Sequence, residues 1–333
     1  MSGLALAAAV LALGCGDDSV VGGGGAGGSV LAGGAGGDGG DGGAGGSGPS
    51  IGSVRSFGFV AVGCAFDDPL DPEQKGDYFD EVASFTNIAH VCAFQPNLDL
   101  TGKLTALASS GGRAVLDLTA LLFESGVDPD TGVLVNTLRV DADQRWADFV
   151  ATNSAVLDAA HVAAFYPVDE PTWTGVSTID LESAAALTKT THPDVPVLLI
   201  EAYPALPQLV VPTNVDWVGF DRYYIAAPDS DPSYQSDWET LKAARSRPDQ
   251  KLVLILDSHY TDGHQQAGLT PDDMRAVAES ATALAAREPD VVAVLGYLWP
   301  GGLEGPQQLG ARELPTAALD YYESYGAAVR AAR

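Results

Sequence analysis

The strongest folding constraint on this chain is a rhythm. Beyond residue 50, eight short and continuously apolar runs, many of them rich in β-branched residues, alternate with amphipathic or alanine-rich segments. The runs cover 57–63, 88–94, 114–118, 162–168, 195–201, 217–221, 252–257 and 292–299. A strand that is apolar throughout, rather than at every second position, must be covered on both faces, as in a parallel sheet flanked by helices. Helix candidates fall between the runs, at 72–85, 141–159, 178–190, 233–244, 271–287 and 313–330. Thr270-Pro271-Asp272-Asp273 supplies a cap, a proline at the first helical position and early acids, a specific start signal. The segment after Glu201 is short and proline-rich, so the fifth helix is expected to be irregular. Eight strand–helix units in roughly 280 residues predict a single α/β domain, a (β/α)8 TIM barrel over 51–333, in preference to a doubly wound open sheet. No glycine-rich loop follows the first run, where Asp67-Asp68-Pro69 stands instead. This argues against a dinucleotide, and no cofactor is expected.

The first 50 residues do not share the rhythm. Leu4 to Leu13 is an apolar run of ten residues, too short to remain as a spanning helix. Residues 16–50 are almost entirely Gly with Ala, Ser and Asp, a composition that cannot bury enough apolar surface to offset chain entropy. It reads as a flexible tether with a typical reach of about 30–35 Å. Ala12-Leu13-Gly14-Cys15 resembles the lipobox of bacterial lipoproteins, whose cysteine is lipidated and becomes the mature N-terminus. That resemblance implies a signal segment over 1–15, a membrane anchor on Cys15, and export to the bacterial cell envelope. Met1-Ser2-Gly3 departs from it in lacking Lys or Arg.

The formal net charge of −27 leaves little to neutralise phosphates, so nucleic acid is excluded as a partner and neutral substrates fit better. A monomer kept soluble by its acidic surface is expected. Cys64 and Cys92 stand near the ends of the first two runs in matching contexts, Gly-Cys-Ala-Phe and Val-Cys-Ala-Phe. In an exported protein they are either a disulfide or two buried thiols. Two cysteines without clustered histidines make a poor zinc site, and no metal is expected.

In a barrel of this kind, catalytic groups come from the C-terminal ends of strands. Read as one ring, the residues closing the runs are Asp67 and Asp68; Gln95 and Asn97; Asp117; Asp169 and Glu170; Glu201 and Tyr203; Asp221, Arg222, Tyr223 and Tyr224; Asp257, His259 and Tyr260; and Trp299. Carboxylates and aromatics dominate, the pairing that suits a sugar, with rings against C–H faces and acids on hydroxyls. Within Val168-Asp169-Glu170-Pro171-Thr172-Trp173 the proline stiffens the backbone leaving Glu170, and Trp173 offers an apolar neighbour that would raise its pKa. The competing reading is a helix start with acids at its positive end. Arg222 reads as a partner for one of the many carboxylates, and His90, inside an apolar run, as a core histidine. Gly-x-Ser-x-Gly is absent, which removes an esterase elbow.

At these positions the chain resembles the retaining glycoside hydrolases of the large (β/α)8 clan that includes cellulases, β-galactosidases and β-mannanases. The resemblance implies Glu170 as acid/base in a motif where Asp169 replaces the usual Asn, Tyr223 or Tyr224 as the active-site tyrosine, and Trp299 as a sugar platform. The seventh strand departs from the clan: Leu256-Asp257-Ser258-His259 ends in Asp where a nucleophilic Glu is usual. Three repairs stay open. Asp257 is the second carboxylate; or Glu201 or Asp221 takes that part; or Asp169 and Glu170 work as a pair, resembling substrate-assisted hexosaminidases. A carboxylate separation of about 5–5.5 Å would mean retention and about 6.5–9.5 Å inversion. The expectation is a lipid-anchored glycoside hydrolase acting on a poly- or oligosaccharide, with Glu170, Asp257 and Asp169 catalytic. Trp299, Tyr223, Tyr224, Trp173, Glu201, Asp221, His259 and Asp67 would bind substrate. A non-catalytic carbohydrate-binding barrel, or an enzyme cleaving another bond, is the alternative.

Overall fold

The computed structural model describes residues 48–130 and 132–332. The expected signal segment, Cys15 and nearly all of the tether lie outside the described residues. Among the described residues ten strands occur: β1 Ser56–Phe59, β2 Ile88–Cys92, β3 Arg113–Asp117, β4 Phe123–Val127, β5 Leu134–Leu138, β6 Val162–Tyr166, β7 Leu198–Ala202, β8 Trp217–Asp221, β9 Lys251–Asp257 and β10 Val291–Tyr297. The helices are α1 Phe79–Val82, α2 Thr101–Ser109, α3 Thr119–Leu122, α4 Ala142–Asn153, α5 Thr178–Thr191, α6 Pro232–Ala244, α7 Asp262–Gln266, α8 Met274–Arg287 and α9 Thr316–Ala331.

Eight of the strands close a parallel cylinder. One continuous sheet runs β1-β10-β9-β8-β7 and a second β2-β3-β6. Parallel bridges at Gly63–Val91 and Phe165–Val197 join them, so the order around the wall is the order in the chain. The seam between β1 and β2 is close: a Cβ on Gly58 would lie 1.8 Å from the Ile88 carbonyl oxygen, so only glycine fits there. This is the expected (β/α)8 barrel.

Alternation divides the wall into two cores. Ile88, Val115, Ala164, Leu198, Ile200, Val253, Ile255, Ala293 and Leu295 fill the interior of the cylinder. Their neighbours Ala89, Ala114, Phe165, Leu199, Val218, Leu254 and Val294 pack outward against the helices. Each strand is therefore apolar at every position, as its sequence requires, while still having an inward and an outward register.

One expectation is corrected. The helix expected over 72–85 shrinks to α1, because side-chain carboxylates capture the backbone donors a helix would need. Asp67 Oδ1 accepts from Lys75 N at 2.7 Å, and Asp71 Oδ1 from Glu73 N at 2.9 Å. The stretch between β3 and α4 contains α3 and an antiparallel hairpin, β4–β5, with Phe123 opposite Leu138 and Val127 opposite Leu134. The segment after β7 is a proline-containing 3-10 turn over Tyr203–Gln208 in place of a regular helix. Cys64 and Cys92 are joined as a disulfide across the β1–β2 seam, with Cα atoms 4.7 Å apart.

Candidate active site

One cavity of about 210 Å³ opens at the C-terminal mouth of the barrel. Val60, Ile200, Ile255 and Leu295 form its apolar floor. His90, Asp117, Tyr166, Asp169, Glu170, Asp221, Tyr223, Tyr297 and Glu304 stand above it. Five carboxylates and, among the described residues, no lysine or arginine line this cavity, so an anionic substrate is disfavoured.

Glu170 is held by its loop. Its φ of 43° puts a non-glycine residue in the left-handed region, a cost of about 1–3 kcal/mol that neighbouring contacts must offset. They do so through Thr174, whose backbone N–H and hydroxyl both donate to the Glu170 carbonyl at 2.8 Å. Glu201, on the outward register of β7, completes the support. Its carboxylate accepts from Thr172 N at 2.8 Å and from Trp173 N and Ala202 N at 3.1 Å. Asn136 of β5 ties the hairpin to the same loop, its backbone N–H donating to the Thr174 carbonyl at 2.9 Å and its Nδ2 donating to Thr174 Oγ1 at 3.2 Å.

The carboxyl groups interact strongly. Glu170 lies well above the ordinary carboxylate range because burial disfavours its charge and because Asp221 and Asp169 stand close. Asp221, inward on β8, hydrogen-bonds Glu170 and is pushed up to about 8, by burial first and then by the charge of Asp169. Glu170 holds its proton against Asp221 in that contact, and with Asp221 itself at about 8 the pair is largely protonated at neutral pH. Asp169 is raised to about 6 by burial, restrained by the Tyr166 hydroxyl that donates to Oδ1. Its backbone N–H reaches Thr119 Oγ1 at 3.2 Å. At neutral pH this leaves an ionised Asp169 beside a protonated Glu170.

His90 and Asp117 complete the far wall. Ala61 N–H donates to His90 Nδ1 at 3.2 Å, which assigns the ring proton to Nε2, 3.3 Å from Asp117 Oδ2. His90 is thus both a buried core histidine and part of the cavity.

Several expected site residues stand elsewhere. Asp257 is inward on β9 but does not line the cavity. His264 Nε2 lies 3.0 Å from both its oxygens, His259 Nδ1 3.2 Å away, and Tyr224 N–H donates to Oδ2 at 2.9 Å. Burial would raise its pKa, yet the two histidines hold it below the carboxylate range. His259 is fully buried behind Tyr223 and Tyr297, with ring centroids 4.8 and 5.1 Å away. Burial works against its charge, but contact with Asp257 keeps its pKa raised. Trp299 does not face the carboxylate cavity. The inward alternation of β10 ends at Tyr297, and Trp299 packs outward on Phe59 and Phe85 while its Nε1 donates to Glu81 at 2.7 Å. Asp67 is exposed and bonds Lys75 N, and Glu201 is buried under the Glu170 loop. Tyr224 lines a neighbouring cavity, and Arg222 pairs with Asp237 of α6 and lies over the Tyr203 ring. Trp173 and Tyr223 do line the carboxylate cavity. Tyr166, Tyr297 and Glu304 were missed; the first two were findable by counting inward positions, as both share the register of the apolar floor.

Two clusters have metal-like composition, Asp257–His259–His264 and Cys64–His90–Cys92. In the first, Thr261 N–H donates to His264 Nδ1 at 3.0 Å, so the Nε2 facing Asp257 carries the proton and has no lone pair to offer. In the second the sulfurs are bonded to each other, and His90 Nδ1 is taken by Ala61.

No protein-family model and no curated protein matches the sequence. Solved structures do match in shape. A GH113 β-1,4-mannanase superposes with a TM-score of 0.52 at 9% identity, covering 81% of this chain and 99% of that one. A glucosidase from Croceicoccus marinus gives 0.54 at 12% identity, covering 85% and 68%. ScGas2 in complex with a compound gives 0.50 at 12%, covering 84% and 68%. These likenesses show a shared TIM-barrel fold of the kind found in glycosidases.

Proposed function

We propose that this protein is a glycoside hydrolase acting on neutral carbohydrate, with Glu170 as general acid/base. The observation that carries the reading is the cluster of Glu170, Asp221 and Asp169 in one cavity of the barrel mouth, where burial keeps a proton on Glu170 while Asp169 is ionised. Glu170 would protonate the leaving oxygen as the glycosidic C–O bond breaks and then take a proton from the attacking water. Asp169, held by Tyr166, would set negative charge against the cationic sugar of the transition state. Asp221 keeps Glu170 protonated. The barrel likeness to glycosidases supports the reading, and the absence of cationic side chains from the cavity lining favours uncharged sugars. The test is turnover of nitrophenyl glycosides and oligosaccharides by wild type and Glu170→Gln. Loss of turnover with retained ligand binding supports an enzyme. Binding with no wild-type turnover would show a carbohydrate-binding barrel, and neither would end the proposal.

A substrate-assisted route is favoured by one arrangement. Asp257 is tied to two histidines, so no carboxylate of β9 lines the cavity, and the Glu170–Asp221 contact is closer than the about 5–5.5 Å of a retaining pair. Asp169 beside Glu170 is placed to orient a 2-acetamido group that would act as nucleophile. Faster hydrolysis of nitrophenyl N-acetylglucosaminide than of the glucoside, with inhibition by a thiazoline mimic, would support this route; the opposite order would remove it. Export and anchoring through Cys15 belong to the same proposal and rest on the lipobox-like segment. Palmitate labelling lost in Cys15→Ala checks it.

A further inference from the structure

A second cavity, of about 680 Å³, adjoins the first and shares Tyr223 and Glu304 with it. The partition is built rather than incidental. Tyr223 stacks on Tyr297 with centroids 5.1 Å apart, and the Tyr297 hydroxyl donates to Glu304 at 2.8 Å. On its far side the carboxylate cavity is walled by the hairpin residues Gly132, Val133 and Leu134. That hairpin is pinned to the Glu170 loop through Asn136 and Thr174.

The second cavity carries aromatic rings and amides. Tyr203 and Tyr224 supply ring faces, while Gln266, Gln307 and Gln308 supply neutral donors and acceptors. Its single cation, Arg222, is already committed to Asp237. Gln308 is buried; its Oε1 accepts from Glu304 N at 2.8 Å, and its Nε2 has no partner among the described residues. Rings that stack on C–H faces and amides that bond hydroxyls select an uncharged polyol, not a phosphate or peptide anion.

Resting on the carbohydrate reading, we propose that the second cavity binds the continuing sugar units of an oligosaccharide whose terminal unit occupies the carboxylate cavity, so that cleavage occurs at a chain end. The hairpin closes one direction, and the Tyr223–Glu304 partition opens onto the other. Specificity for length then resides in the loops after β8, β9 and β10, while the chemistry resides after β6 and β8.

The probes are manno-, cello- and N-acetylchito-oligosaccharides of two to six units and the matching nitrophenyl monoglycosides, each with wild type, Tyr224→Ala and Gln307→Ala. For the sugar that is turned over, kcat/KM should rise roughly tenfold or more from the monoglycoside to three or four units and then level off. Products should be single units released from one end. Within each variant the ratio of long- to short-substrate kcat/KM should fall several-fold, a readout that a general folding defect would not move. Equal kcat/KM at all lengths, unchanged ratios in both variants, or products from internal cleavage would overturn the proposal while leaving the hydrolase reading intact. No turnover or binding of any probe would overturn the hydrolase reading itself.

Discussion

Replacing Asp221 by Asn should make the protein more stable in alkali, an unusual direction for a change at a candidate active site. In the folded chain Asp221 is raised from 3.8 to about 8, by burial and by the neighbouring charge of Asp169. The folded state therefore binds more protons than the unfolded one between about pH 4 and pH 8, and stability falls as pH rises through that window. At about 1.4 kcal/mol per unit, four units set a ceiling near 6 kcal/mol on the penalty at pH 9. Asn removes the charge but leaves Glu170 and Asp169 facing each other, and it weakens the 3.4 Å contact to the Tyr223 hydroxyl. A net gain on the order of 2 kcal/mol at pH 9, or roughly 4 °C in Tm, follows, with little difference at pH 4–5. Thermal unfolding of both proteins at pH 5, 7 and 9 gives the answer without any substrate. A constant difference across the three values, or a variant less stable at pH 9, would refute the claim that charge on a buried cluster is what the fold resists.

The same cluster shapes the expected pH profile: activity should fall below about pH 6 as Asp169 takes a proton and should persist through neutrality into alkali, because Glu170 is held well above the ordinary carboxylate range, measured as kcat/KM on the best nitrophenyl glycoside. Glu201→Ala should cost about 2–3 kcal/mol, since one buried and two half-buried backbone donors lose their acceptor, and should lower kcat more than it raises KM because the Glu170 loop loosens; equal kcat in the two proteins would contradict the positioning role. Reducing Cys64–Cys92, which closes a loop with a sequence separation of 28, should cost about 3–4 kcal/mol in denaturant unfolding. Trp299→Phe should lower stability by about 1–2 kcal/mol through the lost bond to Glu81 and leave sugar affinity unchanged; a large loss of affinity would restore it as a platform.

How far the site was legible depends on parity. Glu201 and Asp221 both close apolar strands and look equivalent as the last acid of a run. They differ by register: Ile200 is inward, so Glu201 is outward, whereas Val218 and Phe220 are outward, so Asp221 is inward. Counting in twos along each run would have separated them, and would have found Tyr166 and Tyr297. Trp299 escapes that count because the alternation stops at Tyr297. Asp257 escapes it too. It has the inward register, and His259, the Tyr224 N–H and His264, the last brought over on α7, tie it away from the cavity.

What the chain dictated by itself was the barrel, because strands apolar on both faces and spaced by helical segments have few ways to be covered, and that pattern is local and repeated. The acid-rich strand end at 169–170 was equally plain, since its residues are neighbours in sequence. Which acids keep a proton, which are neutralised by histidines, and where the hairpin walls the cavity were decided only on folding. Those outcomes depend on distances between groups far apart in the chain, and on how much water each group keeps, and neither quantity is written in any short stretch of residues.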